Sequence, residues 1–464
     1  MAFDSILNKI FNLFILRRMK GINQFIEHPI ETQQRVLFSL LSQAKNTEYG
    51  KLHHFEEIKS YEDFNKQVPI VSYEDFEPFI EKARQGNPDV FWPGKIRHFA
   101  KSSGTTNAKS KFIPISDESL QNCHYKAGKD LLAIYINNHR DSNLFKFKNL
   151  RLGGSAELYE SFGTKFGDLS AILIENLPFW VERTTTPSRE VSLMSEWETK
   201  LKAIVSEVKN KDVGSLTGVP SWMMVLLQRV LKDTGKKSIS EVWPNLEVFF
   251  HGGISFVPYR EQYKQLIGRD IRYYEIYNAS EGFFGIQDRF GSDEMLLMLD
   301  YGIFYEFIPM DTFGTENAKA VSLENVELGK NYAVVITTNG GLWRYLIGDT
   351  IRFTDLKPFR FKISGRTKHY INAFGEELMI DNVETALSKA CQETNAKITD
   401  YTGAPVYMKD GESGSHEWMI EFSTEPNDFG RFSEIFDETL KSLNSDYEAK
   451  RYNNMTLKPP NALI

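Results

Sequence analysis

The run NLEVFFHGG, residues 245–253, restricts the possible folds more than any other stretch of the chain. Val248, Phe249 and Phe250 lead without polar interruption into His251 and a glycine pair. An apolar run of this kind suits a strand buried within a sheet, and the glycines suit a loop at its end. Helical segments precede it: SEWETKLKAIVSEVKN at 195–210, and PSWMMVLLQRVLKD at 220–233, which starts on a proline. Downstream, YAVVITTNGGLWRYLIGDTIRF at 332–353 reads as strand, Gly-rich turn and strand. Short strands mixed with helices imply the α/β class.

Residues 1–100 read mainly helical, as ETQQRVLFSLLSQAK at 31–45 shows by apolar steps of three and four. KQVPIVSYEDFEPFIEKARQG at 66–86 adds an extended, proline-marked piece and another helix. Near residue 365 the pattern changes to a short β piece, an amphipathic helix, two strand-like runs and a long helix. This βαββα order suits a small α+β domain, so we divide the chain into residues 1–364 and 365–464.

A formal charge of −7 argues against a general nucleic-acid binder. Cys123 and Cys391 are the only cysteines, which leaves no disulfide framework or thiolate metal site and suits a reducing cytoplasm. No apolar run reaches the length of a membrane span. At the start, MAFDSILNKIFNLFILRRMKG places Ile6, Ile10, Leu13, Phe14 and Ile15 mostly on one helical face, with Arg17, Arg18 and Lys20 behind them. The basic residues of a signal peptide precede its apolar run, so this segment reads as an amphipathic helix packed on the body, with a membrane-surface anchor as the alternative.

Three motifs carry the chemistry. KSSGTTNAKSKF, residues 101–112, crowds hydroxyls, a glycine and three lysines together. A Walker loop needs a second glycine five residues after Gly104, and Lys109 stands there instead. A hydroxyl-rich loop can still cradle phosphate through N–H and O–H donors, although a solvated polar turn has the same composition. YNASEG, residues 277–282, places Glu281 after a small-residue turn, and WRYLIGD, residues 343–349, places Asp349 after a glycine. A carboxylate at the second position could accept hydrogen bonds from a ribose diol. Alone, Asp349 also fits a turn residue and Glu281 a salt-bridged surface acid.

Together and in this order, SSGTT with its lysine, HGG, YNASE and IGD resemble the adenylate-forming superfamily of acyl-CoA synthetases, peptide-synthetase adenylation domains and luciferases. More closely, the chain resembles the bacterial branch of the auxin-responsive Gretchen Hagen family of acyl-acid amido synthetases. The resemblance implies a large N-terminal domain of mixed sheets and helices binding ATP and acyl acid, with a smaller mobile C-terminal domain. It implies that Ser102, Ser103, Gly104, Thr105 and Thr106 surround the ATP phosphates, with Lys111 as the terminal lysine of that motif. Gly252 and Gly253 would lie under adenine, with His251 structural. Tyr277 and Ser280 would contact the nucleotide, Glu281 would hold Mg²⁺, and Asp349 would take the ribose. Arg344 would steady the loop or the phosphates. Val219, Trp222 and Met223 fall in a segment resembling the acyl pocket, with the start of a core helix fitting Trp222 and Met223 equally well, and Lys368 falls near the hinge.

The implied reaction joins a small carboxylic acid to an amino acid through an acyl-adenylate, in a protein we expect to be monomeric. The alternatives are a thiol acceptor such as CoA, or a weakened nucleotide- or acyl-binding protein. The last arises because family members continue beyond MTLKPPNALI and carry a C-terminal lysine there, so that either the sequence is truncated, or adenylation is weakened, or another lysine substitutes.

Overall fold

The structure is a computed structural model that describes residues 2–102, 111–153, 158–177, 179–367, 370–409 and 412–463. Strand Val248–Gly252 lies inside a mixed sheet of twelve strands and is buried at every position, as its apolar run requires. Strands Lys148–Arg151, Thr185–Thr186, Val213–Gly218, Val248–Gly252 and Arg272–Ala279 pair in parallel. Helices Trp197–Val208, Pro220–Thr234 and Arg260–Ile267 make the crossovers and cover this half with apolar side chains. From Arg272–Ala279 outward every pairing is antiparallel, through Gly282–Ile286, Met295–Leu297, Phe359–Arg366, Tyr345–Leu356, Asn331–Thr338, Ile303–Pro309 and Val321–Ser322. Arg272–Ala279 is therefore the seam between the two modes.

The expected N-terminal helices are present. Helices Tyr61–Gln67 and Tyr73–Arg84 each start on a reciprocal Ser/Asp capping box, Ser60 with Asp63 and Ser72 with Asp75. A second, four-stranded sheet pairs His98–Ser102 antiparallel with Lys111–Ile115 and parallel with Thr164–Gly167. Strand Phe359–Arg366 runs just past the expected boundary at residues 364 and 365. After it come helix Ile380–Thr394, strands Lys397–Val406 and Ser415–Thr424, and helices Phe429–Leu443 and Ser445–Arg451. Their apolar faces join one core with the crossover helices, through Phe374, Val383, Phe432 and Phe436.

Arg344 is not a phosphate ligand in this fold. Its guanidinium is buried and paired bidentately with buried Glu306, Nε to Oε2 and Nη2 to Oε1, both at 2.9 Å. The remaining donors reach the Asn65 and Val68 carbonyls at 3.1 and 2.6 Å and Asn65 Oδ1 at 2.8 Å. Tyr61 donates a further hydrogen bond to Glu306 at 2.9 Å. Arg344 thus fastens the end of helix Tyr61–Gln67 to the antiparallel half, with no donor left for a ligand. Replacing Glu306 with alanine leaves that guanidinium without its counter-charge. The variant is expected to lose about 3–5 kcal/mol of unfolding free energy, measured by urea denaturation.

Candidate active site

Strands Val213–Gly218, Val248–Gly252 and Arg272–Ala279 end in glycine or alanine, and a cleft of about 870 Å³ opens beyond the last two. Ligand crevices of α/β sheets lie outside the carboxyl ends of parallel strands, and the seam strand delivers Tyr277, Ser280 and Glu281 to that position. Ser102 and Lys111 enter from the second sheet, where they are direct cross-strand partners. Asp349 enters from strand Tyr345–Leu356, and Gly253 from the loop after Val248–Gly252. Residues far apart in sequence therefore line one cavity. Ser103, Gly104, Thr105, Thr106 and Lys368 lie outside the described residues.

Gly252 and Gly253 are required by the backbone. A Cβ on Gly252 would lie 2.4 Å from the Ile276 carbonyl oxygen of the seam strand, and Gly253 has φ +85°. His251 is buried, stacks on Phe256 at 4.2 Å between ring centroids, and is held neutral by burial, its pKa pushed down to about 3. It sits within the wall as a structural residue.

Asp349 organises the floor. The Tyr277 hydroxyl donates to Asp349 Oδ2, and Arg366 Nε lies 2.7 Å from Oδ1. Arg366 also lies 3.6 Å from Glu377, which lines the same cleft from the C-terminal segment. Burial raises the Asp349 carboxyl above its ordinary range, against the pull of Arg366 and Tyr277. Burial and the Asp349 charge together keep Tyr277 protonated. Its ring packs on Phe284 and Phe361, with centroids 4.8 and 6.0 Å away. Across the cleft, burial raises Glu281 and lowers Lys111, while their opposite charges each pull the other back. A negatively charged oxygen beside Lys111 and a cation beside Glu281 would both offset desolvated charges.

Mg²⁺ is ordinarily held by one or two carboxylates plus substrate phosphates, and Glu281 is a single carboxylate facing the cleft. Among the described residues no cluster of three or more His, Cys, Asp or Glu forms a metal cage on its own. The donor set therefore fits a cation shared with phosphate.

The expected acyl-pocket residues do not line this cleft. Met223 is fully buried in the apolar core because helix Pro220–Thr234 turns that face inward, which removes it as a contact in the cleft. Trp222 meets Trp197 edge-on at 4.1 Å and carries the Lys450 ammonium 3.9 Å from its ring centroid. Val219 lies behind the glycine loop, 3.4 Å from where a Gly253 Cβ would stand. Residues not singled out from the sequence complete the site. These are Glu275, Arg366, Glu377 and Tyr407.

The fold is that of the adenylate-forming enzymes. The solved GH3.15 acyl acid amido synthetase matches with a TM-score of 0.65 at 17% identity, covering 96% of this chain and 88% of that one. A 2-hydroxyisobutyryl-CoA ligase, solved with 2-HIB-AMP and CoA, matches with a TM-score of 0.53 at 14% identity, covering 98% and 86%. The chain belongs to the GH3 family, whose N-terminal domain matches residues 18–271, central domain 296–366 and C-terminal domain 381–464. Indole-3-acetic acid-amido synthetase GH3.2 of Arabidopsis thaliana is 23% identical and covers 83% of each chain. Jasmonoyl--L-amino acid synthetase JAR6 of Nicotiana attenuata is 27% identical over 69% of this chain and 66% of its own length. Among the described residues, no helix is long and apolar enough to cross a membrane.

Glu275 on the seam strand has the clearest acid–base signature in the cleft. Burial, reinforced by Asp293, raises its pKa to about 7. A carboxyl that holds its proton more tightly when folded contributes stability below its unfolded pKa and loses it as pH rises through the folded value. Glu275→Gln is thus expected to exceed the wild type in unfolding free energy by up to about 3 kcal/mol at pH 8. The difference should shrink as pH falls toward the ordinary carboxylate range, as read by denaturant midpoints across pH.

Proposed function

We propose that this chain is an ATP-dependent ligase that activates a small carboxylic acid as an acyl-adenylate and transfers the acyl group to an amino-acid amine. The observation that carries the reading is the convergence of Lys111, Glu281 and the Asp349–Tyr277–Arg366 group on one cleft at the carboxyl ends of the parallel strands. Membership of the GH3 family supports the acceptor class, since the similar plant proteins are named as an indole-3-acetic acid-amido synthetase and a jasmonoyl--L-amino acid synthetase. Identities of 23–27% to those plant enzymes leave the acid open, aromatic or aliphatic.

A carboxylate resists amine attack because its leaving group would be oxide. Attack of its oxygen on the α-phosphorus breaks the α–β phosphoanhydride bond and expels pyrophosphate. Amine attack on the mixed anhydride then expels AMP, and the nitrogen loses a proton. Positioning and charge neutralisation dominate such phosphate chemistry. In this reading Asp349, oriented by Tyr277 and Arg366, accepts the ribose hydroxyls, and Gly252 and Gly253 leave room for the flat base. The Lys111 ammonium faces phosphate oxygen. Glu281 and phosphate oxygens would hold Mg²⁺, which supplies charge neutralisation at the triphosphate. We place the enzyme in the cytoplasm as a monomer.

Screening carboxylic acids for AMP release with pooled amino acids tests the whole reading. Release that depends on an amino acid supports it, and release that depends on CoA instead overturns the acceptor. Glu281→Ala is expected to abolish acid-dependent ATP–pyrophosphate exchange at saturating Mg²⁺, and wild-type exchange in that variant would remove the metal assignment. Asp349→Asn is expected to raise KM for ATP by roughly tenfold to a hundredfold, from loss of charge-assisted hydrogen bonds.

A further inference from the structure

Helix Ala2–Leu16 is docked by its polar side. Asn8 Nδ2 and Asn12 Nδ2 donate to the Ser142 carbonyl at 3.1 and 3.4 Å, and Asn8 Oδ1 accepts from the Phe145 amide at 3.2 Å. Both asparagines are buried, with Ile15 beside them, and Phe11 rests on the Phe145 ring with centroids 5.7 Å apart. Of the apolar stripe expected to pack on the body, Ile15 does so, whereas Ile10, Leu13 and Phe14 do not. Ile10, Leu13 and Phe14 form a ridge at three- and four-residue spacing and are 55%, 69% and 64% exposed. A helix free to turn would bury that face. The hydrogen bonds of its opposite face hold it outward.

The ridge has a basic rim. Lys9, Arg17 and Lys20 are exposed, while Arg18 is held by Asp130 and anchors the following turn. From residue 8 to residue 26 there are four basic side chains and no acidic one, in a chain whose net charge is −7. Among the described side chains of this segment, charge of one sign thus flanks the apolar ridge. Two copies meeting through this face would bring like charges together, which disfavours a symmetric dimer. A convex apolar ridge ringed by cations suits a fluid surface that takes in side chains and carries negative headgroups.

We propose that helix Ala2–Leu16 docks the protein on an anionic phospholipid surface, with Ile10, Leu13 and Phe14 entering the acyl boundary and Lys9, Arg17 and Lys20 meeting the headgroups. The helix lies in the interface and does not span it. The candidate active site lies elsewhere in the molecule, so this surface and the ligase reading stand or fall independently.

Flotation of the full chain with vesicles of phosphatidylcholine, alone or mixed equally with phosphatidylglycerol, tests the proposal. The wild type should float with the mixed vesicles and be released as salt rises. Leu13→Glu with Phe14→Glu should lower binding at least about tenfold, given the apolar burial lost. Arg17→Glu with Lys20→Glu should reduce binding to mixed vesicles to the level seen with phosphatidylcholine alone. Near-UV circular dichroism and the thermal midpoint establish that each variant is folded. Failure of the wild type to float, or flotation of the Leu13/Phe14 variant at the wild-type level, overturns the proposal. So does a wild-type dimer in gel filtration that this variant converts to monomer, because a second copy would then cover the ridge.

Discussion

Strand Arg272–Ala279 is hydrogen-bonded in parallel to Val248–Gly252 on one side and antiparallel to Gly282–Ile286 on the other. A strand in that position must enter from a crossover helix and leave through a tight turn. Its carboxyl end therefore faces the open edge of the parallel half while its successor doubles back into the antiparallel half. The turn Ala279–Gly282 is the point at which small residues and a carboxylate can be held at the mouth of the cleft. The close approach of Gly252 to Ile276, which a side chain would prevent, keeps the two strands in register there.

The polar groups of the cleft depend on this frame. Asp349 is directly opposite Arg366 in the hairpin of the antiparallel half, and Tyr277 reaches Asp349 from the seam strand. Each group is desolvated, and each raised carboxyl is partly compensated by a fixed neighbour. A site of desolvated charges is poised for a ligand with complementary charge at lower reorganisation cost than one built from solvated groups. Glu377 and Tyr407 of the C-terminal segment also line the cleft, so both parts of the chain contribute to its wall.

Much of the architecture was legible in local pattern. Val248–Gly252 is a buried strand because nothing in it can face water, and helix Pro220–Thr234 begins at its proline as expected. Glu281 and Asp349 were identifiable as chemistry-bearing carboxylates only in company with the other motifs, and they do reach one cleft. Arg344 was misread because proximity in sequence to Asp349 says nothing about direction. It precedes strand Tyr345–Leu356 with φ +42° and turns toward Glu306 and the N-terminal helices. Arg366 was within reach of counting, since Leu356 pairs with Phe359 across the hairpin turn, and the same pairing carried outward meets Asp349 with Arg366. Two compensating bulges restore that register, and no sequence pattern announces them.

The sequence by itself determined the α/β class, the order of helices and strands, and the residue types available for phosphate, ribose and cation chemistry. Those properties follow from local periodicity and from side-chain functional groups, which neighbours along the chain suffice to define. The tertiary structure decided which charges meet. It joined Asp349 to Tyr277 and Arg366, withdrew Arg344 into a buried pair, and sent Met223 into the core. It also turned the first helix so that Asn8 and Asn12 face the body and Leu13 and Phe14 face outward. An amphipathic pattern specifies two faces of a helix. The Ser142 carbonyl and the Phe145 amide, more than a hundred residues away, select which face is buried.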